Sequence, residues 1–180
     1  KKQELNLNKN EVKDQFFALL KSSYKDQLNT DTNLGINVSS GIDSIAMICI
    51  LNEINGGQKS ISANSYYFNE KEIDEKIQLE KFSKKIGWNI NFQLIRPEDI
   101  IKNANTIVKS QEQPFPGVIT FAKYILIQKN YDSFRKVILE AQGGDEISAG
   151  YRHVFPYFVS DLLKNYKIID VLSEIKNFMK

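Results

Sequence analysis

The sequence predicts an α/β protein, a three-layer α-β-α sandwich built on a parallel, doubly wound sheet. Three observations predict this class. Short apolar runs alternate with longer segments of helical periodicity, in the order β-α-β-α-β-α-α-β. Such alternation is typical of parallel sheets with helices on both faces. Glycines and small polar residues follow the first and the fourth apolar run, where sheets of this kind bind their ligands.

The composition fits one globular domain. The chain has 180 residues, of which 42% are hydrophobic and 26% charged, and its formal net charge is +2. These values give no sign of a nucleic-acid or membrane partner. No apolar stretch approaches the roughly 20 residues of a membrane span. The single cysteine, Cys49, cannot form an internal disulfide, and we expect it to be a buried residue of a cytoplasmic protein.

A leading helix precedes the main domain. From Asn10, its expected N-cap, apolar residues recur at helical spacing as far as Tyr24. The turn residues at 29–33 then form a joint. We therefore expect a leading helix and joint in residues 1–30, and the main domain in residues 31–180.

The main domain is expected to open with a strand, a helix and a second strand. The apolar run 34–38 is the first strand, and a helix from Ser44 to about Leu51 is apolar on all sides. Glycines within 55–57 cap that helix. The second strand, 60–68, is rich in aromatic and small residues.

Two helices and a third strand follow. The helix expected over 71–87 ends at its glycine and carries an apolar face. That face comprises Ile73, Ile77, Phe82 and Ile86. The third strand covers 91–95, and the helix over 97–110 begins with a proline and two acids. The segment 112–117 must be a loop because it contains two prolines and a glycine.

The remaining elements are a helix at 118–130, a fourth strand at 136–139 and a glycine-rich turn at 142–146. The chain from about His153 has a helical pattern. This histidine is the only one in the chain, so we expect a surface or packing residue rather than a metal ligand.

The turn SSGIDS after the first strand has the composition of an anion site. A strand-to-helix turn directs free N–H groups towards one point, at the positive end of the helix dipole. Gly41 permits close approach of an anion, and Ser39, Ser40 and Ser44 add hydroxyl donors. Asp43 would repel a phosphate unless a divalent cation lies between them. The turn therefore predicts a magnesium–polyphosphate site, although the same residues can also serve as helix caps.

SSGIDS resembles the S-G-G-x-D-S loop of the PP-loop ATP pyrophosphatases, a family of HUP-like fold. The resemblance implies that ATP is cleaved between its α and β phosphates. It also implies that the loop holds the pyrophosphate portion, with Asp43 on magnesium. Ser40 departs from the pattern, because it replaces the first glycine and its Cβ restricts the backbone.

Two later segments make the resemblance more specific. EQPF at 112–115 is similar to the D-E/Q-P-F element of asparagine synthetase-like proteins, and 140–158 resembles their S/D-G-E/Q-G-x-D-E-L-x-x-G-Y run. The likeness covers roughly residues 31–160. They imply a ligase that adenylates a carboxylate, with aspartate the expected one, and then transfers ammonia to give asparagine.

Two alternatives stay open at this point. One is another acyl-adenylating enzyme on the same fold, such as a cell-surface sugar amidotransferase or a β-lactam or lasso-peptide cyclase. The other is a non-catalytic nucleotide-binding module. For the asparagine-forming ligase and for the other acyl-adenylating enzymes alike, the expected cofactors are ATP and Mg²⁺. The resemblance also implies a glutaminase domain or subunit as partner, and we expect this chain to be part of a longer enzyme.

The resemblance assigns the site residue by residue. The ATP-binding positions are Val38, Ser39, Ser40, Gly41, Ile42, Asp43, Ser44, Phe68, Gly143 and Gly144. Asp43 and Asp145 are the implied metal ligands and, with Gln142, the catalytic residues. Many asparagine synthetases carry glutamate at the position of Gln142. Glutamine cannot take up a proton at neutral pH, but it can orient ammonia or the substrate by hydrogen bonds.

Four further residues have two readings each. Glu112 and Glu146 are candidates to bind positive ends of the substrate, and each can equally be a salt-bridge partner. Tyr66 and Tyr67, beside the implied adenine position at Phe68, can simply belong to the core.

Overall fold

This computed structural model describes residues 8–57, 61–70, 74–114 and 117–178. Within them the strands are β1 (Leu34–Asn37), β2 (Ser62–Phe68), β3 (Ile90–Ile95) and β4 (Val137–Leu139). The helices are α1 (Lys9–Gln27), α2 (Ile42–Asn55), α3 (Lys76–Ile86), α4 (Pro97–Gln111), α5 (Val118–Asp132), α6 (Gly144–Ser148), α7 (Phe155–Lys164) and α8 (Ile168–Phe178). A 3-10 turn, Arg152–Val154, precedes α7.

The chain divides into two compact units, Lys1–Glu140 and Ala141–Lys180. The first contains the sheet and α1–α5, and within it α1 packs against α2. The second contains α6–α8. There α7 packs against α8, and the rings of Phe155 and Phe178 stack with their centroids 4.0 Å apart. The boundary expected after residue 30 stays a prediction.

The four strands form one parallel sheet in the order β3-β2-β1-β4, which confirms the predicted α/β class. The chain moves outward from β1 through β2 to β3, and then returns to place β4 on the other side of β1. In register, Ile36 of β1 lies between Ala63 of β2 and Leu139 of β4. The carboxyl end of β1 is therefore the point where the strand order reverses, the usual place for a ligand in such sheets.

The core includes a cluster that joins β3, α4 and α5. Ile95, Ile107, Phe121 and Ala122 are each at most 3% exposed, and Phe68 and Tyr66 of β2 pack against them. Burial of each large apolar side chain contributes roughly 1.5–3 kcal/mol to stability. The cluster supports the carboxyl ends of β2 and β3 from one side.

The expectation that Cys49 is buried was wrong. In α2 the buried residues are Met47, Ile48, Ile50 and Leu51, whereas Cys49 is exposed. Ala46, three residues earlier on the same helix face, is also exposed. The apolar run therefore leaves one stripe uncovered. The cap at Gly56 is confirmed, because this residue ends α2 in the left-handed conformation with φ 64°.

The predicted start of α1 was two residues late. Its N-cap is Asn8, not Asn10, and the Asn8 side chain accepts hydrogen bonds from the N–H groups of Asn10 and Glu11. The Glu11 carboxylate returns a bond to the Asn8 N–H at 2.8 Å. This reciprocal capping box outweighs the apolar spacing that suggested the later start.

The start and the apolar face predicted for α3 also differ from the structure. The helix begins at Lys76, with Glu75 as its N-cap and Asp74 outside it. Its buried residues are Leu79 and Ser83; of the predicted face, Phe82 and Ile86 are half-buried, whereas Ile77 is 60% exposed. Ile73 lies outside the described residues. In the described part of the chain, no helix combines the length and apolarity that a membrane span requires.

Candidate functional site

The SSGIDS turn connects the centre of the sheet to α2. β1 ends at Asn37, and Gly41 is the N-cap of α2 in an extended conformation, without a side-chain capping bond. The helix-capping alternative therefore has no N-cap side chain to support it. Within the turn, Ser39 Oγ and Ser44 Oγ lie 3.0 Å apart, and Ser39 Oγ accepts from the Gly41 N–H at 3.3 Å. This end of α2 is suited to an anion.

The SSGIDS turn also makes a contact outside its own segment: a backbone N–H of the turn is hydrogen-bonded to a carboxylate just before α3. The Ser40 N–H donates to Oε2 of Glu75 at 2.8 Å, across 35 residues of sequence. Glu75 immediately precedes α3 and does not cap that helix with its side chain. Nothing in the local pattern of either segment identifies this pair, because their meeting depends on how α3 packs against the sheet.

Asp43 occupies the first turn of α2 and is partly buried. It acts on Tyr24 of α1, since burial and then the negative charge of Asp43 raise the pKa of the Tyr24 hydroxyl. The leading helix thus contributes an aromatic residue to the surroundings of the predicted metal ligand. Helical spacing marked Tyr24 as an inward-facing residue but gave no hint of this neighbour.

A cavity of about 990 Å³ lies at the carboxyl ends of β1, β2 and β3. Its lining includes Val38, Ser39, Ser40 and Phe68, four of the predicted ATP-binding residues. The other predicted positions of the turn are not among its lining, and Ile42 is 81% exposed. Tyr66 also lines the cavity, so this tyrosine belongs to both the core and the cavity wall. The other aromatic candidate, Tyr67, packs edge to face with Phe92, at a centroid distance of 6.5 Å.

Charges on the described cavity wall are mostly negative. The carboxylates are those of Glu70, Asp74 and Glu75, and the cationic group is the guanidinium of Arg96. Burial raises the pKa of the Tyr66 hydroxyl, and the charges of Glu75 on this wall and of Glu140 outside it raise the pKa further. The rest of the wall combines apolar residues, Leu94, Ile95 and Ile100 among them, with uncharged polar residues such as Ser65, Asn69 and Gln78.

A chain of buried amides lies directly behind the turn. Asn64 donates to the Asn130 side chain at 3.0 Å, and Asn130 donates to Asn37 at 3.4 Å. Asn37 in turn donates to Glu140 Oε1 at 2.8 Å, and Lys123 binds Glu140 Oε2 at 3.1 Å. These bonds tie β1 to β2, to α5 and to the residue that follows β4. The sequence carried a signal, because Asn37 and Asn64 lie in strands expected to be buried and a buried amide needs partners.

The glycine-rich segment after β4 belongs to the second compact unit. Gly143 has φ 96°, a left-handed conformation that glycine adopts without strain, and α6 begins at the next residue. The Asp145 carboxylate lies against Gly150, where an added Cβ would come within 2.0 Å of Oδ1. Gln142 is exposed. The Glu146 carboxylate accepts a hydrogen bond from the Tyr151 hydroxyl at 2.8 Å.

Three other residues from the sequence analysis remain: Glu112, Phe115 and His153. Glu112 ends α4 in the left-handed conformation with φ 56°, and its side chain is exposed. Phe115 of the EQPF segment lies outside the described residues. His153 is exposed and stacks on Tyr151, with ring centroids 5.3 Å apart, in line with the expected surface role.

The donor set fits magnesium rather than a closed all-protein metal site. Among the described residues, no group of three or more His, Cys, Asp or Glu side chains is arranged to hold a metal ion. Magnesium usually takes one or two carboxylates and completes its shell with water and substrate phosphates. Asp43 and Asp145 are ligands of the right chemistry. Since they belong to different compact units, their sharing of one ion stays a prediction.

Comparison with known proteins gives a consistent result. The family model described as asparagine synthase matches residues 15–176. The glutamine-hydrolysing asparagine synthetases of rat and human are each 25% identical to the chain over 148 residues, 78% of this chain and 26% of theirs. The chain therefore spans about a quarter of the length of these curated relatives.

Among solved structures, the chain is similar to glutamine-dependent NAD+ synthetase from Acinetobacter baumannii in complex with ADP. The TM-score is 0.51 at 15% identity, and the match covers 84% of this chain and 29% of the other. At this identity the similarity concerns the fold.

Proposed function

The chain belongs to the asparagine synthase family, with the PP-loop fold that its motifs predicted. We therefore propose that it is an ATP-dependent, amide-forming ligase. It adenylates a carboxylate, with aspartate as the substrate, and releases pyrophosphate. Ammonia then displaces AMP and gives asparagine. One observation carries the proposal: the N-terminus of α2, without a capping side chain, adjoins a cavity at the carboxyl ends of the strands.

The cavity can accommodate a nucleotide. Its volume of about 990 Å³ lies at the upper end of the range for small-molecule sites. The adenine lies in the apolar part, near Val38 and Phe68. The triphosphate lies along the turn from Ser39 to Ser44, where N–H groups and hydroxyls meet it.

The turn stabilises the leaving group when the substrate carboxylate attacks the α-phosphorus. A carboxylate oxygen of the substrate bonds to that phosphorus, and the bond to the bridging oxygen breaks. The leaving pyrophosphate gains charge next to the N–H groups of α2 and the hydroxyls of Ser39 and Ser44. Donors fixed in place before the reaction stabilise such charge without reorganisation, and each contributes about 10²–10³ in rate in well-studied enzymes.

Magnesium, when bound, neutralises the phosphate oxygens. Asp43 and Asp145 are the carboxylates that would hold it, and within the second unit Gly150 leaves room for the Asp145 carboxylate. Gln142 orients ammonia through its amide oxygen, because it cannot serve as a base. The ammonia nitrogen bonds to the acyl carbon, the bond to the AMP oxygen breaks, and the surplus proton passes to water.

The source of ammonia is a glutaminase domain or subunit. Both relatives named above are glutamine-hydrolysing, and this chain spans 26% of their length. Free ammonium at high concentration replaces that partner in an assay, so the chemistry of the chain can be tested by itself.

The test is exchange of labelled pyrophosphate into ATP, with a panel of carboxylates. Exchange that requires aspartate supports the proposal, and exchange with a different acid redirects it to another acyl-adenylating enzyme. Absence of exchange with every acid contradicts it and favours a nucleotide-binding module. Asp43→Asn should lower the exchange rate about 100-fold. Asp14→Asn is the matched control, because Asp14 is an exposed residue of α1 that does not line the cavity.

A further inference from the structure

We propose that Glu75 is a resident anion of the SSGIDS turn, which an incoming phosphate must displace, and that it sets the affinity of the turn for phosphate ligands. This role rests on the proposed function, because it concerns the same turn and the same class of ligand. It makes Glu75 a specificity-determining residue of the site.

The contact itself has the chemistry of anion binding. Oε2 of Glu75 accepts from the Ser40 N–H at 2.8 Å, the distance of a charge-assisted hydrogen bond. The Ser40 N–H lies just before the N-terminus of α2, among the groups that would otherwise face a phosphate oxygen. A carboxylate in this position therefore occupies part of the site that pyrophosphate requires.

Among the described residues, neither a capping bond to its own helix nor an ion pair with a cation holds Glu75 there. As the residue before α3 it makes no side-chain capping bond to that helix. The adjacent lysine, Lys76, is directed elsewhere: its ammonium group lies 4.2 Å from the centre of the Tyr67 ring and 3.8 Å from Glu80. The Ser40 N–H is thus the described hydrogen-bond donor to the Glu75 carboxylate, whose charge also acts on the Tyr66 hydroxyl.

The displaced carboxylate stays close to the ligand. Glu75, Glu70 and Asp74 all line the cavity, and Arg96 supplies the cationic group of its described wall. A free phosphate ligand therefore loses affinity twice, by competition for the N–H and by repulsion from the carboxylate. A ligand that brings a divalent cation avoids the repulsion. Glu75 thus makes the turn select metal-bound over metal-free polyphosphate.

The experiment measures binding of inorganic pyrophosphate by isothermal titration calorimetry, with the full 180-residue chain in EDTA. Glu75→Gln keeps a hydrogen-bond acceptor but removes the charge. Its dissociation constant for pyrophosphate should fall about tenfold relative to the unmodified chain, the difference between a charged and a neutral acceptor.

Asp74→Asn is the matched control. Asp74 lines the same cavity, but its carboxylate accepts from the Lys76 N–H at 2.8 Å rather than from the turn. Removal of its charge should tighten pyrophosphate binding by less than about threefold, since only long-range repulsion is relieved. Equal gains in the two variants would overturn the proposal, because the contact with Ser40 would then have no specific effect. An unchanged or weaker affinity in Glu75→Gln would overturn it as well.

Amide NMR of the unmodified chain gives a readout that does not depend on a variant. On titration with pyrophosphate, the Ser40 amide should shift more than the other amides of the turn, because it exchanges one anion for another. If Ser40 does not shift while the other amides do, Glu75 is not displaced and the proposal fails. If no variant binds pyrophosphate in EDTA, the role of Glu75 is overturned, whereas the proposed function is decided separately by the exchange assay. Normal exchange activity alongside equal affinities would overturn the role of Glu75 alone.

Discussion

Replacement of Gly35 by alanine should destabilise the protein severely, although the substitution adds only one methyl group. Gly35 lies in the central strand β1. An added Cβ would lie 2.5 Å from Oδ1 of Asn130 and 3.3 Å from Cδ of Arg135. Asn130 cannot simply rotate away, because it is 1% exposed and its amide also donates to the Leu126 carbonyl at 2.8 Å.

The magnitude follows from what Asn130 would lose. Its Oδ1 accepts from the Asn64 side chain at 3.0 Å, in the interior. A buried polar group that loses its partner costs about 1–3 kcal/mol, and crowding of a packed interior costs about 1–3 kcal/mol more. Together these give about 2–6 kcal/mol, a large part of the 5–15 kcal/mol that typically holds a domain folded.

Urea unfolding, followed by tryptophan fluorescence, measures this cost. Trp88 is the only tryptophan of the chain, is 4% exposed and belongs to the same compact unit as Gly35. Asn130→Ala provides the control, because it removes the group that the new methyl group would strike. The double variant should therefore lose at least about 1 kcal/mol less than the sum of the single variants. A Gly35→Ala protein within about 0.5 kcal/mol of the unmodified chain, or strict additivity, would refute the reasoning.

Three further predictions concern the site. Gly150→Ala would place a Cβ 2.0 Å from Oδ1 of Asp145, and pyrophosphate exchange should slow about 100-fold at unchanged melting temperature. Glu140→Gln weakens the bonds to Asn37 and Lys123 and should lower the free energy of unfolding in urea by about 1–2 kcal/mol. Its control is Glu53→Gln, which breaks the exposed pair with Lys21 and should lower that free energy by less than about 1 kcal/mol. Because burial and Asp43 raise the pKa of Tyr24 in the folded state, the folded chain holds that proton more tightly, and stability should decline as pH rises above about 10. Tyr24→Phe should reduce this alkaline loss, and an unchanged slope of unfolding free energy against pH would contradict the assignment.

Periodicity and punctuation predicted the parallel sheet because they record local requirements. A strand such as β1, covered on both faces, needs a continuous apolar run, and Gly56 is the residue that a left-handed helix end favours. The same local rules misplaced the start of α1, since Asn8 and Asn10 are both competent N-caps and only the reciprocal bond with Glu11 separates them.

Long-range partners were beyond those rules. Glu75 reaches Ser40 across 35 residues, and Asn37 reaches Glu140 across 103. Neither contact has a spacing that identifies it. The exposed position of Cys49 was missed for a related reason, because an all-apolar run does not say which of its faces the sheet and α1 leave uncovered. The motifs that identify the family were recognisable, because each gathers its residues within one short segment.

The position of β1 between its partners has a consequence for biosynthesis. One edge of β1 pairs with β2, which emerges soon afterwards, but the other waits for β4. Residues 37 and 140, which meet just beyond that pairing, are 103 positions apart. At about 5–20 residues per second, a ribosome needs on the order of 5–20 s to cover this interval. During it a nascent chain offers an open, apolar strand edge to any other extended segment. Nascent chains that are crowded together would pair with each other through this edge. Expression should therefore depend less on chaperones when initiation is slowed, because neighbouring nascent chains are then further apart. Slowing elongation should not have this effect.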